Sequence, residues 1–169
     1  AGGRGGVGLF VIGSNVPVPG YDWIDASTDA IIPRYRAIAD ATRSTGIAVF
    51  AQLCHPGFFP LPGPLRVTPP PRARATIATT HGPVRQQPST AAVQEIIAAH
   101  GRAAGRVCAG GLPGVELHAH EMFLHAQMLS PVWNERTDQY GGSFENRLSF
   151  LTETLQAMRS DYIVIRHQA

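Results

Sequence analysis

Residues 114–166 read GVELHAHEMFLHAQMLSPVWNERTDQYGGSFENRLSFLTETLQAMRSDYIVIR: a strand, a polar loop, a helix and a second strand, in that order. Residues 114–118 (GVELH) and 162–166 (YIVIR) are short apolar runs of the kind buried on both faces of a sheet. Between them, Leu148, Leu151, Leu155 and Met158 form one stripe of a helix over 144–159. Ser143 stands where it can cap that helix, and Glu145 lies in its first turn, where the helix dipole favours an anion. Two apolar strands joined through an amphipathic helix imply a crossover and therefore parallel pairing.

The same unit recurs upstream. Residues 7–12 (VGLFVI) and 47–53 (IAVFAQL) read as buried strands. A helix is expected over 29–45, with Ile32, Tyr35, Ile38, Ala39 and Thr42 on one stripe and Gly46 at its C-terminal end. A further helix is expected over 91–107, with Val93, Ile96, Ile97, Ala104 and Val107 facing the core. Nine of the 14 prolines fall within residues 54–88, so no long helix can form there, and 54–90 reads as one long loop. The order strand, helix, strand, helix, strand, helix, strand makes this an α/β chain with a parallel sheet, one domain over 1–169. Ligands of such sheets gather at the C-terminal strand ends, which here are residues 13–14, 52–55, 118–121 and 166.

Composition excludes several classes. Hydrophobic residues make up 44% and charged residues only 15%, which argues against disorder over the whole length. All 14 basic residues are scattered arginines and the net charge is +2, so no basic stripe marks a nucleic-acid surface. No apolar run approaches the ~18 residues of a membrane span, and there is no secretory signal pattern. The two cysteines, Cys54 and Cys108, are too few for a disulfide scaffold and point to a reduced, cytoplasmic setting. The first residue is Ala1 rather than Met, as expected of a cut end.

Chemistry concentrates at the strand ends. His118, His120, Glu121 and His125 fall within eight residues after a strand. Two functional readings compete: a divalent-metal site, since imidazole and carboxylate suit zinc, or a hydrogen-bonding cradle that polarises a substrate carbonyl. His120-Glu121 and His125 are spaced HExxxH, one residue longer than the zincin motif, so the helical i, i+4 pairing is lost. The plain alternative makes His120 and His125 packed or solvated loop residues. Gln52, near the end of an apolar strand, offers a donor and an acceptor that suit the edge of a heterocycle, or that bond to nearby backbone. Arg166 ends a strand and requires an anionic or planar partner, which an electron-rich ring or a structural carboxylate would supply. Residues 134–147 read as a tightly bonded loop, with Arg136 and Asp138 able to pair and Arg147 able to tie the following helix back.

Taken together, AQLCHPG at 51–57 and the run GVELHAHEMFLHAQMLSPVWNERTDQYGGSFENRLSFLTETLQAMR at 114–159 resemble the old yellow enzyme family of flavin-dependent NAD(P)H oxidoreductases, nearest its dienoyl-CoA-reductase-like branch. GGVGLFVIG at 5–13 is similar to that family's second barrel strand. The resemblance implies a (β/α)8 TIM barrel with FMN at its C-terminal mouth and NAD(P)H as reductant. It makes Gln52 the amide that bonds the flavin ring, Arg166 the cation on the flavin N1 side, and Ser14 the small residue against the isoalloxazine. His118 becomes the first member of the carbonyl-binding pair, with Glu121 at the position of the second, as in dienoyl-CoA reductases, and His120 beside it. The implied substrate is a small molecule, an enone or enoyl thioester. Three positions depart from the family pattern: Phe123 replaces the proton-donating Tyr, Phe58 an Arg and Pro113 an Asp. With Phe123 in place, either water, His120 or Glu121 supplies the proton, or the substrate is not a simple enone.

A barrel of this kind needs about 200 residues at the least. The chain accounts for about strands two to five of eight and is expected to be an incomplete piece, with weak or no FMN binding and little activity by itself. An iron–sulfur cluster, as in some relatives, belongs only to a C-terminal part that is not in this sequence. Two rival readings remain: a barrel metalloenzyme using His118, His120 and His125, and a non-catalytic half-barrel that associates with itself as a homo-oligomer.

Overall fold

The computed structural model describes residues 6–57, 88–120 and 123–167. Five strands form one parallel sheet: β1 (Leu9–Val16), β2 (Ile24–Asp25), β3 (Ala48–Leu53), β4 (Gly114–His118) and β5 (Tyr162–Arg166). Their spatial order is β2-β1-β3-β4-β5. Helix α1 (Ile32–Thr42) is flanked by single 3-10 turns at Asp29–Ile31 and Arg43–Thr45, and Gly46 closes it at φ 69° in the left-handed region. Helices α2 (Thr90–Ala109) and α4 (Phe144–Met158) start on hydroxyl caps: Ser89 Oγ accepts from Ala92 N and Ser143 Oγ from Asn146 N, each at 3.2 Å. A short α3 (Leu124–Leu129) packs on α4.

The sequence-based expectation of a parallel α/β chain with four main strands and three helices therefore holds, with β2 and α3 added. Both additions are too short to show a period: β2 exists only because Ile24 and Asp25 pair with Asn15 and Val16. The core lies between the sheet and its helices. Val49, Ala51 and Leu53 of β3 and Val115 and Leu117 of β4 meet Tyr35 of α1, Ala103, Ala104 and Val107 of α2 and Met158 of α4. A second cluster joins Val93, Ile96 and Ile97 of α2 to Leu124, Met128, Tyr140 and Phe150.

One expectation is corrected. Residues 7–12 and 162–166 read as strands buried on both faces, yet Leu9 is 44% and Tyr162 62% exposed, and Phe10, Val164 and Ile165 are exposed too. The reason lies in the strand order. β5 is an edge strand, and the partner on the outer side of β1 reaches only Asn15 and Val16, which leaves the first half of β1 uncovered there. Of the long loop over 54–90, residues 58–87 and with them Phe58 lie outside the described residues.

Candidate functional site

The site begins at an irregularity. The pairing of β1 with β3 shifts register between Ile12 and Asn15, at Gly13 and Ser14. Such bulges re-aim side chains at the ends of strands. The fully buried Asn15 holds this one in place: its Nδ2 donates to Ile12 O (2.9 Å) and Gln52 O (3.0 Å), and its Oδ1 accepts from Tyr35 Oη (2.8 Å). Burial raises the Tyr35 hydroxyl well above its ordinary range, so it stays a donor. The outcome is that Ser14 Oγ reaches Gln52 Oε1 at 3.0 Å. Gly13 is needed for this approach, because a Cβ there would stand 2.5 Å from Gln52 Oε1.

From Gln52 the network continues across the sheet. Gln52 is the register partner of Glu116, and Gln52 Nε2 donates to Glu116 Oε1 at 2.6 Å. Arg166, the register partner of His118, donates from Nε to the same Oε1 at 3.0 Å. Residues two apart on a strand share a face, so Glu116 and His118 both point away from the helix-facing core residues Val115 and Leu117. Glu116 is buried, whereas the Arg166 side chain is 52% exposed. Its terminal guanidinium nitrogens carry no hydrogen bond among the described residues. The carboxylate that the sequence reading allowed as a structural partner for Arg166 is therefore present, and it engages Nε alone.

The imidazoles separate into two groups. The His118 ring lies 4.1 Å from that of His120 and 4.0 Å from the Phe123 ring, centroid to centroid, at the end of β4. His118 is buried and His120 half-buried. His125 belongs elsewhere. It sits in α3, turned into the helical layer, with its ring 4.7 Å from Phe150 and 5.0 Å from His100, and its Nε2 3.4 Å from Thr154 Oγ1. Burial, with His100, His55 and His118 nearby, holds its pKa well below the usual imidazole value. The proposed cluster of His118, His120 and His125 is thus not assembled, because the first turn of α3 aims His125 at the core. Among the described residues, no group of three or more His, Cys, Asp or Glu is placed to hold a metal ion. Glu121 lies outside the described residues.

Residues 134–147 close on themselves, as their polarity suggested. Asn134 Nδ2 donates to Met128 O and Tyr140 O, both at 2.6 Å, and its Oδ1 accepts from Arg136 N. Arg136 pairs with Asp138 through Nε (3.0 Å) and a second, very short contact, and donates to Pro88 O. The Arg136 hydrogen bond holds the Asp138 carboxyl down to about 2. Arg147 donates to Leu129 O and Gly142 O, tying α4 back to the loop.

Three residues near the site escaped the sequence reading. Glu116 was read only as part of an apolar strand; the signal was an acidic residue two places before His118, on its face. Asn15 lies beyond the apolar run at 7–12, and its role depends on the bulge. His167 follows β5, and its Nδ1 lies 3.0 Å from Ala119 O, beside the end of β4. Cys54 lies fully buried next to this network. Burial pushes its thiol up to about 12, against a smaller opposing pull from the Ser14 hydroxyl.

The comparisons with known proteins agree with one another. A family model described as the NADH:flavin oxidoreductase / NADH oxidase family matches residues 25–166. A metal reductase from Desulforamulus reducens is 34% identical over 172 residues, covering 96% of this chain and 25% of that protein. A multifunctional alkene reductase/demethylase from Caballeronia cordobensis is 32% identical over 181 residues, again 25% of its length. The chain thus spans about a quarter of the length of these curated relatives. Among solved structures, morphinone reductase superposes with a TM-score of 0.82 at 26% identity, over 98% of this chain and 51% of that one. The parallel sheet with outer helices is accordingly part of a (β/α)8 barrel, as the family resemblance implied.

Proposed function

The chain belongs to the NADH:flavin oxidoreductase / NADH oxidase family, and from this premise we propose that its strand ends form part of an FMN site where NAD(P)H-derived reducing equivalents reach an activated C=C bond. The observation that carries the reading is the single hydrogen-bonded line Ser14–Gln52–Glu116–Arg166, which ends in an exposed guanidinium. A donor set of one amide and one guanidinium fits the edge of a planar, electron-rich heterocycle. Bound FMN would supply the two-electron relay between nicotinamide and substrate.

The residues of this chain have separate tasks in the proposal. Gln52 holds one edge of the ring in place. Arg166, through its terminal nitrogens, favours an anionic form of that ring. Ser14 lies beside Gln52 and leaves room for a flat ligand. His118 and His120, side by side at the end of β4, donate hydrogen bonds to the carbonyl oxygen of an enone or enoyl thioester and stabilise the charge that develops there. Glu121 shares that task by its position in the motif. The Phe123 ring packs on His118 and has no proton to give, so His120, Glu121 or water delivers the proton to the α-carbon. A reduced, cytoplasmic setting belongs to the same proposal, in keeping with the free thiols of Cys54 and Cys108.

The test is an NMR-monitored titration of the 15N-labelled chain with FMN, which detects weak binding. Saturable shifts of the Gln52 side-chain amide and of Arg166 Nε–H are expected, and Gln52→Ala should weaken the apparent affinity about tenfold, the worth of one good hydrogen bond. Absence of any response at these two side chains would overturn the reading.

A further inference from the structure

We infer that Glu116 is a positioning residue: from the middle of β4 it determines which edge of the Gln52 amide, and which part of the Arg166 guanidinium, faces the strand-end opening. The inference rests on the flavin reading for its ligand, and on the network alone for its geometry.

A strand interior is a costly place for a carboxylate. Glu116 is 4% exposed and is flanked in sequence by Val115 and Leu117, both wholly buried. Its Oε1 accepts from a different strand on each side: from Gln52 Nε2 on β3 at 2.6 Å and from Arg166 Nε on β5 at 3.0 Å. One oxygen therefore joins three strands at the level of the site.

The consequence for Gln52 follows from donor and acceptor chemistry. A carboxylate paired with arginine only accepts hydrogen bonds. If the Gln52 amide turned over, its carbonyl oxygen would face the Glu116 oxygen, acceptor against acceptor. Nε2 must therefore point to Glu116, and Oε1 takes the Ser14 hydroxyl at 3.0 Å. Without Glu116 nothing among the described residues distinguishes the two amide orientations, because a serine hydroxyl can serve either one. For Arg166 the carboxylate engages only Nε. Of the five guanidinium N–H groups, the four terminal ones are left for a ligand. Glu116 thus holds the base of this fork against the sheet and turns its prongs outward.

The experiment uses the same 15N-labelled chain with Glu116→Ala, Glu116→Gln and Gln52→Ala. In the flavin-free wild type, one Gln52 amide proton and Arg166 Nε–H should exchange slowly with solvent. In E116A both should exchange fast while the backbone spectrum is retained. FMN affinity should fall about tenfold in E116A, and the Q52A/E116A pair should lose less than the two single losses combined, since Glu116 acts in part through Gln52 and in part through Arg166. E116Q, which keeps an oxygen acceptor, should recover most of the loss. If the wild type responds to FMN and E116A responds equally, or if the two substitutions are additive, the role of Glu116 is overturned and the flavin reading stands. If the wild type does not respond at all, the flavin reading falls and takes this inference with it. Should E116A fail to fold, Glu116→Asp, which withdraws the oxygen by one methylene, replaces it under the same criteria.

Discussion

Residues 134–147 and the C-terminal ends of β3, β4 and β5 are both rich in polar side chains, but they differ in what those side chains have left to offer. In the loop, Asn134, Arg136, Asp138 and Tyr140 are satisfied by one another, by nearby carbonyls and by the Glu153 carboxylate. At the strand ends, Gln52 is held by Ser14 and Glu116, while Arg166 is tethered through Nε alone and keeps its terminal nitrogens available among the described residues. The loop holds the densest run of family-like residues, yet its chemistry is closed. The strand ends are sparser in sequence and chemically open. Motif density therefore marks where the fold is secured, and incomplete satisfaction marks where a ligand can bind.

The sharpest test of this contrast is Arg136→Ala. The Arg136 side chain is 6% exposed, and its loss removes its bonds to Asp138, Thr90 and Pro88 O together, at a cost of about 4 kcal/mol in urea unfolding. Below the unfolding transition, the FMN response of the strand ends should be unchanged; a selective loss of that response would break the distinction.

Acid comes next, and it acts on the helical layer rather than on either polar region. Burial lowers the pKa of His100 to about 4 from the ordinary 6.5, with its Nδ1 hydrogen bond to Ile96 O opposing. The folded state thus holds the neutral ring, while the unfolded chain takes up a proton at higher pH. The contribution to stability is complete above pH 6.5 and is lost as the pH falls from 6.5 towards 4, about 3 kcal/mol in all. Urea midpoints across that range should fall accordingly, and His100→Phe should flatten the slope.

Two smaller effects probe the loop and its helix. Tyr140→Phe removes the 2.8 Å bond to Glu153 Oε2 and should cost about 1 kcal/mol. Ser143→Ala removes the α4 cap at Asn146 N and should cost about 1 kcal/mol, visible as a lower thermal midpoint. The smallest stability change is expected at the open site. Gln52→Ala should cost less than about 1 kcal/mol, because Glu116 keeps Arg166 as its partner, while it lowers FMN affinity. A Gln52 variant as destabilised as Arg136→Ala would erase the contrast.

Much of this could be read from local sequence. The strands read at 47–53, 114–118 and 162–166 and the helices on either side of β4 announce themselves by apolar runs, by 3.6-residue stripes and, for α4, by the hydroxyl at Ser143. Gly46 ends α1 because only glycine takes its positive φ without cost. What local reading missed has a common cause. β2 and α3 are too short to carry a period, and the exposure of Leu9 and Tyr162 depends on which strand lies alongside. His125 was grouped with His118 and His120 by closeness in the chain, whereas the first turn of α3 packs its ring on His100 and Phe150.

The residue pattern by itself determined that strands and helices alternate, that the sheet is parallel, and that Gln52, His118 and Arg166 stand at strand ends, because periodicity and breakers act over a few neighbouring residues. Only the tertiary structure decided that Glu116 lies between Gln52 and Arg166, that Asn15 secures the bulge beneath Ser14, and that His125 is part of the core. Those outcomes depend on strand register and helix direction. Partners 64 and 50 residues apart in the chain meet on one carboxylate oxygen, and a shift of a single residue in either ladder would turn them to opposite faces.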